Sequence, residues 1–84
     1  MDEMDDRAWR EKAAMISSSL QYIHRKLNDL RDRTADLLID DAVRNTAGRE
    51  VALMKTKLDE AYLWYTQIDF DKTVHYLEER DRDA

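Results

Sequence analysis

The chain has no cysteine, no proline and a single glycine among its 84 residues. Without cysteine, neither a disulfide framework nor a thiolate metal site is available. The near absence of proline and glycine, together with 39% charged residues, favours long helices over turns and sheets. We therefore expect an all-α protein that forms one small domain over residues 1–84.

Long apolar runs are also missing. No stretch approaches the roughly 18 consecutive apolar residues of a membrane-spanning helix. The first six residues hold four acids and no base, which is the opposite of the basic start of a signal peptide. The sequence therefore predicts a soluble, cytoplasmic protein with no membrane partner.

Catalytic and metal-binding motifs are absent as well. His24 and His75 are the only histidines, one on each half of the chain, and a metal site needs three or four ligands. Serine occurs only at residues 17–19, with no base or glycine elbow nearby to make a nucleophile. There is no phosphate-binding loop and no dinucleotide fingerprint. We expect neither enzymatic activity nor a metal or cofactor.

Charge is unevenly distributed along the chain, whose net charge is −5. Residues 7–57 contain eleven bases and seven acids, whereas residues 58–84 contain three bases and eight acids. An acidic whole argues against general DNA or RNA binding, because phosphate neutralisation drives that affinity. The basic middle suits one small anionic ligand, although solvated helix faces of mixed charge explain it without any ligand.

Apolar residues repeat every three or four positions in the first half of the chain. They are Trp9, Ala13, Ile16, Leu20, Ile23, Leu27, Leu30 and Leu37, with Thr34 as one polar substitution. This heptad pattern predicts a helix over 9–37, roughly 43 Å long at about 1.5 Å per residue, that packs lengthwise on a neighbour. The serines at 17–19 are poor helix formers, but their combined cost is small. We expect the helix to continue through them; a break that leaves a short N-terminal helix is the alternative.

A second helix is predicted from about Ala47 to at least Gln67, with Asn45 or Thr46 as the N-cap. Its apolar stripe consists of Val51, Met54, Leu58, Ala61, Tyr65 and Ile68. Tyr62, Leu63 and Trp64 lie off this stripe, so the helix is apolar all round near its end and must be covered on several sides. We therefore expect a long antiparallel helical hairpin that assembles into an oligomeric bundle.

The C-terminal part has two interpretations, because Phe70, Val74 and Leu77 are out of phase with the stripe of the second helix. One continuous helix over 48–79 would match the first helix in length, and we favour it. The alternative is a short third helix capped by Asp69 or Asp71. Residues 1–6 and 80–84 are polar and are expected to fray.

Part of the second helix resembles a known family. The shared pattern is Gly48-Arg49-Glu50, Leu53, Thr56-Lys57-Leu58, Glu60-Ala61 and Trp64. It is similar to the phage sponges that act against CBASS and Thoeris immunity and share a helical-hairpin domain. The resemblance implies a homo-oligomer in the host bacterial cytosol that binds a cyclic oligonucleotide or a cyclic ADP-ribose-type signal without cleaving it. It also implies pockets between subunits.

Candidate ligand-binding residues follow from what such a signal needs, which is cations for phosphates and flat groups for bases. On the second helix they are Arg49, Thr56 and Lys57; on the first helix they are Tyr22, Arg25 and Lys26, and Trp9 with Arg10 or Lys12 is a competing set. The resemblance supports Arg49 and Thr56 most directly. The simpler interpretations are that Arg49 pairs with an acid and that Thr56 fills space between helices.

Gly48 also has two interpretations. It is a tolerated glycine in a first helical turn, or it lets a backbone or ligand approach closely.

A second function class competes with the sponge as well. The heptads and the apolar belt at 62–65 are typical of a helical interaction module, such as an inhibitor of a host enzyme or a coiled-coil adaptor.

Overall fold

The computed structural model describes residues 3–83, and side chains over residues 8–80. It contains four helices: α1 (Glu3–Ile39), α2 (Asp41–Thr46), α3 (Gly48–Thr66) and α4 (Phe70–Asp83). No strand occurs between residues 3 and 83, so the all-α prediction is confirmed. Within the same range, no helix combines the length and the apolar character needed to cross a bilayer.

Helix α1 runs without interruption through the three serines at 17–19. The prediction that the heptad period would outweigh the serines is therefore confirmed. Of the two segments expected to fray, residues 1, 2 and 84 lie outside the described part of the chain. The remainder of both segments is helical, because α1 begins at Glu3 and α4 ends at Asp83.

The connection between the long helices is itself helical. Asp40 caps α2, since its carboxylate accepts from the Ala42 N–H at 2.8 Å. The prediction that Asn45 or Thr46 caps α3 is wrong: Ala47 precedes α3 and makes no side-chain hydrogen bond. Thr46 is instead the last residue of α2, and its hydroxyl donates to the Ala42 carbonyl at 2.6 Å.

Gly48 lies in the first turn of α3, as predicted, and is its first residue. A Cβ at this position would lie 3.8 Å from the Val43 carbonyl oxygen and 4.0 Å from Arg44 Cβ, which is ordinary van der Waals distance. Its φ is not positive. Neither packing within the described chain nor backbone conformation therefore requires glycine here, which matches the interpretation of a tolerated first-turn glycine.

The prediction of one continuous helix over 48–79 is wrong. Helix α3 ends at Thr66, whose hydroxyl donates to the Leu63 carbonyl at 2.6 Å. Asp69 then starts α4, because its carboxylate accepts from the Lys72 N–H at 3.2 Å. Short polar side chains that bond nearby backbone groups compete with helix continuation. The alternative of a third segment capped by Asp69 is the one the structure adopts.

The chain divides into two compact units, and α1 contributes to both. Residues 23–67 form an antiparallel hairpin, since His24 contacts Tyr62 and the later Arg31 contacts the earlier Asp59. Thr34 and Val51 are buried in this unit. The hairpin prediction is confirmed here.

The second unit consists of residues 1–22 and 68–84. Ala13 of α1 and Leu77 of α4 are its buried apolar residues in the described range. Phe70 and Val74 are half-buried. The out-of-phase apolar row of the sequence is therefore the inward face of α4.

Candidate functional site

Arg49 lies in the first turn of α3 and is exposed. Within the described residues, its guanidinium forms no ion pair or hydrogen bond, although the chain has 19 acids for 14 bases. The simpler interpretation, that Arg49 pairs with an acid, is therefore not what the described residues show. The first turn of a helix also offers free N–H groups and a positive dipole end, both of which favour anions.

Thr56 and Lys57 lie two turns further along α3, and both are exposed. The Thr56 hydroxyl donates to the Ala52 carbonyl at 3.1 Å, which leaves its oxygen as an acceptor. Its exposure also argues against the interpretation that Thr56 fills space between helices. The Lys57 ammonium lies 3.4 Å from a Glu60 carboxylate oxygen, and its side chain is 79% exposed. Such a surface pair is weak and competes little with a ligand.

The α1 candidates Tyr22, Arg25 and Lys26 are likewise exposed. Arg25 has no hydrogen-bond or ion-pair partner among the described side chains. Spacings of three and four residues place the three side chains on one side of the helix. This set is therefore accessible to a ligand or to a second copy.

One copy of the hairpin does not bring the two sets together. Tyr62 is level with His24, the neighbour of Arg25, because their side chains are in contact. Arg49 precedes Tyr62 by 13 residues in α3, which corresponds to roughly 20 Å along the helix. Arg49 and Arg25 thus lie towards opposite ends of the hairpin, too far apart to hold one small ligand.

An apolar groove of about 480 Å³ opens between α1 and α3. It is lined by Leu30, Thr34, Leu53, Met54, Lys57 and Leu58. Ile23, Leu30 and Leu37, which repeat every seven residues on α1, are each about half exposed. On α3, Trp64 is 69% exposed. These exposures are consistent with the prediction that another chain packs on the apolar side chains of the hairpin.

A network of charged groups, which the sequence pattern did not reveal, crosses the hairpin. The Arg31 Nε donates to one Asp59 carboxylate oxygen at 2.7 Å, and Lys55 donates to the other at 3.0 Å. These hydrogen bonds, first from Arg31 and then from Lys55, hold the pKa of Asp59 below its ordinary value. The Lys55–Asp59 pair is readable as an i,i+4 spacing, but Arg31 becomes its partner only once the register of the helices is known.

Aromatic rings extend this network along the hairpin. The Arg31 guanidinium carbon lies 4.3 Å from the centroid of the Tyr62 ring. His24 stacks on Tyr65 at 5.1 Å, and its Nε2 lies 3.4 Å from the Tyr62 hydroxyl and 3.3 Å from the Asn28 side-chain nitrogen. These contacts fix the rings between the helices. His24 therefore has a structural role in the hairpin.

The competing set around Trp9 lies in the other unit. Trp9 and Lys12 line a cavity of about 230 Å³ together with Ala8, Leu77 and Arg80. The Arg10 guanidinium carbon lies 5.7 Å from the Trp9 ring centroid. The structure thus adds Arg80 of α4 to this set, a residue that sequence spacing could not connect with Trp9. The described residues contain no cluster of three or more side chains suited to hold a metal ion.

Comparison with known proteins gives no match of any kind: no family model, no curated protein and no solved structure matches the chain.

Proposed function

We propose that this protein binds a cyclic nucleotide signal and sequesters it without cleavage, as do the phage sponges that α3 resembles. The observation that carries the proposal is the exposed Arg49 guanidinium, which has no acidic partner in the described chain and lies in the first turn of a long helix. A guanidinium presents donors in a planar fork that matches phosphate oxygens. The free signal then falls by mass action, and the host effector stays inactive.

A second copy completes the site in this proposal. Arg25 precedes the groove residue Leu30 by five positions, roughly 8 Å towards one end of the hairpin. Arg49 precedes the groove residue Lys57 by eight positions, roughly 12 Å towards the other end, because the helices are antiparallel. A two-fold axis that passes through the groove perpendicular to the helices would reverse the direction of one copy. Arg49 of the second copy would then lie within about 4 Å of the level of Arg25.

The apolar face is large enough to support such pairing. Its six main side chains are 44% to 69% exposed: Ile23, Leu30, Leu37, Leu53, Met54 and Trp64. At about 120 Å² of apolar area per aliphatic side chain and ~200 Å² for tryptophan, the exposed part amounts to roughly 430 Å². With about 60% apolar area in an interface, this corresponds to ~700 Å² per copy, near the ~800 Å² of a standard interface.

Calorimetry against cyclic dinucleotides, cyclic trinucleotides and cyclic ADP-ribose isomers tests the proposal. The Arg49→Ala change should weaken binding by about tenfold or more, since a hydrogen bond to a charged group is lost. Arg33→Ala is the matched control, because Arg33 is 73% exposed and paired with Asp29 on the outer surface of α1. Recovery of the intact ligand after denaturation is also expected. If the folded oligomer bound none of these nucleotides, the proposal would be refuted.

A helical interaction module is the second candidate, and the exposed groove with Trp64 favours it. It predicts that a partner protein, rather than a nucleotide, covers the groove. Native mass spectrometry of protein purified from cells that make a cyclic-nucleotide signal separates the two candidates. A small added mass that is released on denaturation supports the sponge, whereas a co-purifying protein whose binding is lost in Leu30→Glu supports the module.

A further inference from the structure

The unit formed by residues 1–22 and 68–84 contains a cavity that the proposed cyclic-nucleotide site does not use. Lys12 of α1 and Arg80 of α4 both line it. Neither cation has a hydrogen bond or ion pair within the described chain, although α4 carries several acids. Two like charges that share one small cavity repel each other, and an anion between them removes that repulsion.

We propose that this cavity binds a nucleoside monophosphate. Trp9 is half-buried at the cavity and supplies an aromatic face on which a base can stack. Leu77, which is 6% exposed, forms an apolar wall. A phosphate monoester carries a charge of about −1.5 to −2 at pH 7, which two cations match better than they match a carboxylate. The lining therefore combines a stacking group with a doubly positive rim.

The cavity offers one aromatic face and one pair of cations, which suits a single nucleotide. Its volume of about 230 Å³ lies below the 300–1,000 Å³ typical of pockets for drug-sized ligands. The cavity opens to solvent, so a bound nucleotide would be held by its base and its phosphate rather than enclosed. Arg49 belongs to the other unit of the chain, so this cavity is a separate site from the one proposed above.

The fluorescence of Trp9 reports on occupancy directly. The chain has two tryptophans, so Trp64→Phe leaves Trp9 as the sole emitter. Adenosine monophosphate should quench this emission to saturation. Adenosine, which has no phosphate, and benzoate, which has a single carboxylate charge in place of the phosphate, should each bind at least about tenfold more weakly. Calorimetry on the unaltered chain makes the same comparison. Equal binding of adenosine and its monophosphate, or no binding of either, overturns the proposal.

Single substitutions then assign the binding to this cavity. Lys12→Ala and Arg80→Ala should each weaken binding of the monophosphate by about tenfold. Lys72→Ala is the matched control, since Lys72 is an exposed cation on α4 that does not line the cavity. Arg49→Ala should leave this binding unchanged. A loss in Lys72→Ala as large as in Lys12→Ala would show a general charge effect and contradict the assigned site, provided that circular dichroism shows each variant folded.

Discussion

Replacement of Thr34 by valine should stabilise the protein. Thr34 is 4% exposed at a heptad position where the sequence otherwise places apolar residues. Its hydroxyl donates to the carbonyls of Leu30 at 3.0 Å and Arg31 at 2.9 Å, both in the preceding turn of α1. Those carbonyls also accept from helical N–H groups, so loss of the hydroxyl leaves no buried acceptor without a partner.

The magnitude follows from two opposing terms. A buried methyl group in place of the hydroxyl contributes about 0.8 kcal/mol and removes the cost of burying a polar atom, about 1–3 kcal/mol in proteins. The lost hydrogen bond is worth about 0.5–1.5 kcal/mol. These terms sum to a gain of about 0.3–3.3 kcal/mol. Because the Thr34 hydroxyl is hydrogen-bonded in the folded state, only part of the burial cost is recovered, and we expect a net gain of about 0.5–1 kcal/mol. Such a gain raises the thermal midpoint by about 2–8 °C in a domain of this size.

Urea unfolding of the Thr34→Val variant measures this gain at a fixed protein concentration. The Thr34→Ser variant keeps the hydroxyl but loses a buried methyl group, and should be destabilised by about 1 kcal/mol. Thr46 bonds its own helix in the same way at an exposed position, so Thr46→Val should change stability by less than about 0.5 kcal/mol. Destabilisation of Thr34→Val by about 1 kcal/mol or more, at an unchanged denaturant slope, would refute the reasoning.

Three further outcomes are expected. The pKa of Asp59 is lowered in the folded state. Its contribution to stability is therefore present above the ordinary pKa and is lost as pH falls through the lower, folded-state pKa. Asp59→Asn should make stability fall less steeply below about pH 4, measured by acid titration followed by circular dichroism. Gly48→Ala should raise the free energy of unfolding by about 0.4–1 kcal/mol, since a Cβ has room there. If the same variant binds nucleotide unchanged, the absence of a side chain at Gly48 is not needed for a ligand to approach. Asp69→Ala removes the α4 cap and should cost about 0.5–2 kcal/mol, measurable as faster amide exchange in α4, whereas unchanged exchange would contradict the role of the cap.

Periodicity predicted the features of this fold that depend on burial along a whole helix. The heptad from Trp9 to Leu37 outweighs three serines, because packing of a long apolar face exceeds small differences in propensity. Features decided by single local hydrogen bonds were mispredicted. Thr46 bonds back into α2 rather than capping α3, and Asp69 starts a new helix where matched lengths favoured continuation.

The candidate site divides in the same way. Exposure of Arg49 and Arg25 was expected, because charged residues off the apolar stripe face solvent. The partnership of Arg31 with Asp59, and the place of Arg80 beside Trp9, depend on which helix turns lie opposite each other. That register is a property of the packed chain and has no signature in the spacing of residues along one helix.

The two contacts of Arg31 restrict which sequences can form this hairpin. Its guanidinium binds the Asp59 carboxylate through Nε, and at the same time its central carbon lies 4.3 Å from the centroid of the Tyr62 ring. A lysine ammonium is a compact point charge that cannot do both at once. Homologues should therefore retain arginine at position 31 wherever an acid occupies position 59 and an aromatic residue occupies position 62. At position 57, which forms one weak surface pair, they should accept lysine or arginine interchangeably.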